Sequence, residues 1–141
     1  MIYITPEILS LQHVLSELQE NSAGALSIFI GNVRNTSVHG DVVEIYYEVY
    51  GEMAEEIMRE IQNEVFAKWS VKKIVMMHRS GTLKVGETSV IIGIASIHRE
   101  ESFQACKYII DNLKRRVPIW KKEVLTSGQK WVDGIRLEQQ T

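Results

Sequence analysis

The apolar positions along the chain follow two different spacings, which predict seven strands and three helices. Strands are expected where β-branched and aromatic residues cluster, or alternate with polar ones, between turn residues. The predicted strands cover residues 2–4, 25–31, 42–50, 71–78, 89–97, 119–125 and 130–132. Helices are expected where apolar residues recur every three or four positions. The predicted helices cover residues 6–18, 52–69 and 99–117.

Prolines and glycines predict several of the element boundaries. Thr5 is the expected N-cap of the first helix, with Pro6 at its first helical position. Pro118 should end the third helix, because the residue before a proline is disfavoured in helical space. Residues 119–132 then form a predicted hairpin with its turn around Ser127 and Gly128.

The order of these elements predicts the fold class. Helices inserted among adjacent strand pairs favour an α+β domain with a mixed or largely antiparallel sheet over a regular parallel βαβ repeat. A length of 141 residues with 45% hydrophobic content fits one domain over residues 1–141, with a loose polar tail at 136–141. No apolar run approaches the ~20 residues that span a bilayer. The first residues lack the features of a signal peptide, so we expect a cytoplasmic protein.

Charge is distributed unequally between the two halves of the chain. Residues 1–70 hold 11 acidic and 3 basic side chains, whereas residues 71–141 hold 7 and 13, within a total formal charge of −2. A cationic region in a nearly neutral protein favours a local anion pocket or a partner surface over general nucleic-acid binding. An RNA-binding domain is the alternative, and its affinity would fall steeply with salt.

The third predicted helix places a lysine beside its apolar side. Its apolar stripe consists of Phe103, Cys106, Ile110, Leu113 and Val117. Lys114 falls only about 20° from the centre of this stripe at helical geometry. A desolvated lysine more readily becomes a neutral amine, which suits nucleophilic or proton-transfer chemistry. In the alternative interpretation, Lys114 lays its stem along apolar surface and keeps its ammonium group in water.

Cations continue beyond the end of this helix. Residues 114–122 contain five basic residues and no acidic one, and Pro118 prevents them from lying along a single helix. If residues 119–125 form a strand, Lys121 shares one face with Ile119, Glu123 and Leu125, and Lys122 lies on the other. One lysine can then face a pocket while its neighbour faces solvent. A solvated basic surface is the alternative.

Further candidate anion ligands stand at the ends of predicted strands or in loops. His98 and Arg99 lie between an apolar strand and a helix N-terminus, where donors for phosphate are often placed. Their alternative is a structural histidine beside an exposed arginine. Arg34, in the polar loop 32–41, and the pair His78 and Arg79 are weaker candidates.

Several other types of site are not indicated. The four histidines lack the spacing of a zinc motif, and the sequence has no phosphate-binding glycine loop or G-x-S-x-G elbow. We therefore expect no metal and no cofactor. Cys106, the single cysteine, lies on the apolar stripe, where packing is expected and not catalysis.

Short strings throughout the chain add a more specific signal. They lie at residues 31–34, 47–50 with 53–54, 78–81, 98–99, 111–114, 118–123 and 131–132. Each is weak alone, but their order and spacing are specific, above all Lys114 seven residues before Lys121 with Pro-Ile-Trp between them. Together they resemble the large, catalytic subunit of molybdopterin synthase over nearly the whole chain.

This resemblance implies a fold, a reaction and partners. The implied fold is an α/β hammerhead with a mixed or antiparallel sheet and an additional small β subdomain. The implied assembly is a homodimer that binds two small ubiquitin-like sulfur-carrier subunits as a heterotetramer, with no nucleic acid or membrane. The partner's Gly-Gly tail, ending in a thiocarboxylate, would enter a pocket. Two such tails would give sulfur to cyclic pyranopterin monophosphate and form the dithiolene of molybdopterin.

The resemblance also implies roles for individual residues. Lys114 would be the principal catalytic lysine, beside the thiocarboxylate, and Lys121 the second. The implied substrate-binding and pocket residues are Asn32, Val33, Arg34, His98, Arg99, Lys122 and Glu123. A non-catalytic adaptor that only captures a ubiquitin-like tail is the alternative from another functional class.

Overall fold

The computed structural model describes residues 1–132, so the expected tail at 136–141 lies outside the described part. Nine strands and three helices occur within residues 1–132. The strands are β1 (Ile2–Thr5), β2 (Ala25–Asn32), β3 (Thr36–Ser37), β4 (Gly40–Val49), β5 (Val71–Arg79), β6 (Gly81–Lys84), β7 (Thr88–Ser96), β8 (Ile119–Leu125) and β9 (Gly128–Val132). The helices are α1 (Leu11–Glu17), α2 (Gly51–Lys68) and α3 (Arg99–Arg116).

The first sheet has the strand order β1-β5-β7-β2 and helices on both faces. β1 runs parallel to β5, whereas β5 and β2 each pair antiparallel with β7. Helices α2 and α3 cover one face, in a core that includes Met58, Ile61, Ile74, Met76, Ile92, Ile94, Ile109 and Leu113. Helix α1 covers the other face with Val14 and Leu18 against Val75, Met77 and Ile91. Because helices cover both faces of this sheet, the sequences of β5 and β7 are apolar almost without interruption.

The second sheet is antiparallel and has a core of its own. Its order is β3-β4-β8-β9, with β6 also paired to β4. The core consists of Val33, Val42, Ile45, Leu83 and Leu125. The chain passes from β5 into β6 at Gly81, whose φ of +91° favours glycine. The expected α+β class and the additional small β subdomain are both confirmed.

Three details of the predicted map need correction. Helix α1 begins at Leu11 with Ser10 as its N-cap, because Thr5 still belongs to β1 and its hydroxyl accepts a hydrogen bond from the Glu7 N–H. The predicted loop 32–41 contains the short strand β3, and β6 was not predicted. β3 and β6 are short and pair with β4, so their sequences carry little periodicity of their own.

The buried face of α3 is rotated from the predicted apolar stripe. The buried residues are Ser102, Ala105, Cys106, Ile109, Asn112 and Leu113, whereas Phe103 is 63% exposed. Small and polar side chains make this possible, since the Ser102 hydroxyl hydrogen-bonds that of Ser27 on β2. Lys114 is exposed as a result, in agreement with the interpretation in which its ammonium group stays in water. No helix within residues 1–132 is both long and apolar enough to cross a membrane.

Candidate active site

Two adjoining cavities lie where α3 and the first sheet meet the second sheet. The first has a volume of about 310 Å³ and the second about 120 Å³. They share the lining residues Tyr47, Ser89, Val90, Lys114 and Lys121. Both candidate catalytic lysines therefore line both cavities.

The proline corner brings the two lysines together. Lys114 lies in the last turn of α3, and the chain turns at Pro118 into β8. β8 pairs antiparallel with β4, which sets Lys121 opposite Tyr47 and Glu123 opposite Ile45. The expected alternation is observed, because Lys121 and Glu123 face the cavities on the same side of β8.

Burial and neighbouring charges both change the pKa of Lys121. Burial lowers the pKa of its ammonium group, and the charges of Lys114 and Arg34 lower it further, while Glu123 partly offsets them. Arg34 and Asn32 both line the second cavity. Lys121 can therefore reach the neutral amine more easily than an ordinary surface lysine, which suits proton transfer.

Glu123 is the buried anion of this site, with only 3% of the residue exposed. The Ser37 hydroxyl donates to its Oε1 at 2.8 Å, and the His39 Nδ1 lies 3.1 Å from the same oxygen. Burial alone would raise the pKa of Glu123, but these hydrogen bonds and the Lys121 charge outweigh it and lower the pKa. Ser37 and His39 were not identified from the sequence, because the pairing depends on the unpredicted β3 hairpin.

Within one chain, four of the predicted site residues line neither cavity. They are Val33, Lys122, His98 and Arg99. Val33 is buried in the small β core, and its N–H and C=O are hydrogen-bonded to Glu87 and Gly86. Lys122 faces the opposite side of β8, where its Nζ lies 5.6 Å from the Tyr46 ring centre and 5.5 Å from that of Trp131. This follows from strand alternation, which cannot direct Lys121 and Lys122 to one side.

His98 and Arg99 lie at the far end of α3. They precede Lys114 by about 22 Å of helix, at 1.5 Å per residue. Both are exposed, and the His98 N–H donates to the Glu101 carboxylate at 3.3 Å. One chain therefore gathers the two lysines with Asn32, Arg34 and Glu123 but leaves His98 and Arg99 apart from them.

His78 is a polar lining residue that the sequence marked only weakly. It is 4% exposed and lines the first cavity. Its Nδ1 donates to the Arg79 carbonyl at 2.8 Å, and its ring lies edge-on to Tyr47 at 5.2 Å between centres. Burial and the Lys114 charge lower the pKa of His78 to about 4, against the opposing effect of the Arg79 hydrogen bond. His78 is therefore neutral at physiological pH.

Metal-binding side chains and the single thiol bear on what further chemistry the described residues can perform. Within residues 1–132 no group of three or more His, Cys, Asp or Glu side chains is placed to hold a metal ion. Burial raises the pKa of Cys106 to about 11, so its thiol is protonated and unreactive at neutral pH.

Comparison with known proteins gives consistent matches. Residues 4–116 match the family described as MoaE protein. The molybdopterin synthase catalytic subunit of Pyrococcus abyssi is 36% identical over 131 residues, which cover 93% of this chain and 88% of that protein. The crystal structure of molybdopterin synthase from Staphylococcus aureus superposes with a TM-score of 0.87 at 32% identity, covering 92% of this chain and 94% of that one.

A more distant solved structure shares the fold. It is a complex of subunits 1 and 2 of molybdopterin-converting factor from Helicobacter pylori. The matched chain has a TM-score of 0.77 at 18% identity, with 93% of this chain and 89% of that one covered. At this identity the likeness shows the fold alone.

Proposed function

The chain belongs to the MoaE protein family, and we propose that it transfers sulfur from the C-terminal thiocarboxylate of a small ubiquitin-like subunit to cyclic pyranopterin monophosphate. It is an enzyme subunit of molybdenum cofactor biosynthesis, as its family membership indicates. The finer proposal depends on one observation: Lys114 and Lys121 line both of two adjoining cavities. A donor in one cavity and an acceptor in the other would then meet at the two ammonium groups.

The different linings of the cavities support a division of roles. The first is walled largely by apolar residues, namely Val90, Ile110, Leu113, Val117, Ile119 and Val132. It suits an extended peptide tail whose anionic end reaches the lysines. The second contains Asn32, Arg34, Ser37 and Glu123, which suit a phosphate and the polar edge of a pterin. Two cavities with a shared cationic border fit two anionic molecules that must exchange an atom.

In this proposal the two lysines stabilise negative charge and transfer protons. As the thiocarboxylate sulfur forms a bond to a side-chain carbon of the pterin substrate, a carbon–oxygen bond at that carbon breaks. The two ammonium groups stabilise the negative charge that develops on the departing oxygen. Water then cleaves the bond between sulfur and the tail's carbonyl carbon, and the partner leaves as an ordinary carboxylate. Lys121, with its lowered pKa, is placed to move a proton in these steps. A second partner molecule would supply the second sulfur of the dithiolene.

Two molecules of this chain would complete the site. His98 and Arg99 can join Lys114 in one site only if they come from another protomer, since α3 separates them by about 22 Å. β2 is an edge strand within residues 1–132, with Leu26 49% and Ile30 40% exposed. Such an apolar edge favours pairing with another strand.

Antiparallel pairing of β2 with its copy would have a specific consequence. Ala25 at the start of β2 lies opposite Ser96, two residues before His98. In a dimer with a two-fold axis, the start of β2 in one protomer lies beside the end of β2 in the other. At that end, Asn32 and Arg34 line the second cavity. His98 and Arg99 of each protomer would then approach the partner's cavity. We therefore propose a homodimer that binds two small subunits as a heterotetramer in the cytoplasm.

Reconstitution tests this proposal. The chain is mixed with a thiocarboxylated small subunit and cyclic pyranopterin monophosphate, and molybdopterin is measured. Lys114→Ala should keep its affinity for the partner but lose about 10²-fold or more in turnover. Lys84→Ala is the matched control, because Lys84 is exposed on β6 and lines neither cavity.

The outcomes separate the two functional classes. Absence of molybdopterin with the unmodified chain would refute the sulfur-transfer proposal. An adaptor would bind the partner without product, and Lys114→Ala would then weaken binding alone.

A further inference from the structure

The first cavity contains a hydrogen-bond acceptor that the proposed roles of the lysines do not use. His78 lines this cavity and is 4% exposed. Its Nδ1 is committed as a donor, because the Arg79 carbonyl 2.8 Å away can only accept. A neutral imidazole with a protonated Nδ1 has a lone pair on Nε2. Because the Arg79 hydrogen bond uses Nδ1, this lone pair stays available to a ligand in the cavity.

An acceptor on the wall of a cavity can be paired by a ligand that enters the cavity. Such a hydrogen bond favours a ligand that offers a donor at that position. The T-shaped contact with Tyr47 at 5.2 Å and the Arg79 hydrogen bond fix the orientation of the ring. The orientation of the Nε2 lone pair is therefore fixed before any ligand binds, as in preorganised binding sites.

The other polar groups of this cavity indicate what the ligand offers. Lys114 and Lys121 are cationic donors, and Tyr47 and Ser89 contribute hydroxyl groups. The cavity therefore fits a molecule with an anionic end and a nearby N–H donor. A peptide that ends in a carboxylate or thiocarboxylate has both features, because its last peptide N–H is only two bonds from the carbon bearing the anion.

We propose that His78 Nε2 accepts a hydrogen bond from the last peptide N–H of the partner's tail, and so positions the tail's terminal group between Lys114 and Lys121. This inference depends on the proposed function, since it assigns the first cavity to the tail. His78 acts as a positioning and specificity residue. It neither attacks the substrate nor carries a proton.

Binding measurements with two forms of the partner test this role. The intact chain and its variants are titrated with the full-length small subunit and with one that lacks its last two residues. His78→Leu should weaken binding of the full-length partner about tenfold, the effect of one buried hydrogen bond. Binding of the shortened partner should not change. His78→Gln, which retains an acceptor near the position of Nε2, should recover most of the loss.

The same titrations would overturn the inference in a recognisable way. If His78→Leu binds both partner forms as the unmodified chain does, or loses affinity for both equally, His78 does not contact the tail. If the unmodified chain makes molybdopterin in that case, only the inference on His78 fails and sulfur transfer stands. If it makes none, the proposed function fails separately.

Nitrogen NMR of the unmodified chain keeps the test independent of variant folding. The Nε2 resonance of His78 should shift when the full-length partner binds and stay unchanged with the shortened one. An unchanged resonance with saturating full-length partner would refute the hydrogen bond.

Discussion

Mixing two defective variants, Arg99→Ala and Lys114→Ala, should restore activity if each active site is built from two chains. Alone, Lys114→Ala lacks the ammonium group proposed to be catalytic, and Arg99→Ala lacks a cation proposed to bind the substrate phosphate. Lys114→Ala is expected to reduce turnover about 10²-fold or more, and Arg99→Ala about 10- to 100-fold, as for other charge-assisted contacts. In a mixed dimer, one site would lack both side chains and the other would contain both.

The expected recovery follows from the arrangement of the residues. With free exchange of equal amounts, about half of the dimers are mixed, and one of the two sites in each is intact, so about a quarter of all sites are active. The turnover of the mixture should therefore reach about 25% of that of the unmodified chain. Lys114→Ala mixed with Lys121→Ala is the matched control. These lysines line the same cavities in one chain, so every site of a mixed dimer lacks one of them.

The assay is molybdopterin formation after subunit exchange, with native mass spectrometry to verify the mixed dimers. If mixed dimers form but the Arg99→Ala and Lys114→Ala mixture is no more active than its components, Arg99 does not complete a site across the interface. Recovery in the control mixture would contradict the placement of both lysines in one chain.

Three further predictions concern the described chain itself. Cys106→Ser should leave turnover largely intact, because the buried thiol has a pKa of about 11; near-complete loss in the reconstituted assay would contradict this. Gly93→Ala should lower stability to thermal unfolding by about 1–3 kcal/mol, since an added Cβ would lie 2.7 Å from Leu18 Cδ1 and 3.1 Å from Val14 Cγ1, whereas Gly51→Ala has open space and serves as the control. The Arg116 hydrogen bond lowers the pKa of Glu64 to about 2 from 4.5, so this pair should stabilise the fold above pH 4.5 and cease to do so as the pH falls through about 2. Urea unfolding of Glu64→Gln at several pH values should therefore show a deficit at pH 7 that shrinks towards pH 2, and a deficit independent of pH would refute the reasoning.

Strand β8 shows what a local sequence pattern can predict about the site. Alternation in residues 119–125 predicted that Lys121 and Glu123 share a face, and both line the second cavity. The same rule places Lys122 on the opposite face, where it lies over Tyr46 and Trp131. The family resemblance implied a pocket role for Lys122 that strand geometry does not support within one chain.

Helix α3 illustrates where periodicity gives a misleading answer. The apolar stripe counted large side chains, whereas the helix approaches the sheet through Ser102 and Ala105, with Phe103 left exposed. Small residues allow close packing but contribute little to a hydrophobic pattern. The face that is buried therefore depended on the neighbouring strand, where Ser27 supplies a hydrogen-bond partner.

The sequence alone determined the α+β class, the extents of the long strands and helices, and the corner at Pro118 that separates Lys114 from Lys121. Such features depend on interactions between residues close in sequence, so periodicity, turn residues and proline geometry are sufficient to predict them. Only the tertiary structure decided that His78 faces the first cavity, that Ser37 and His39 hold Glu123, and that His98 and Arg99 lie far from the lysines. These contacts depend on residues tens of positions apart in the sequence. They follow from how the two sheets pack against each other, which a local sequence pattern does not predict.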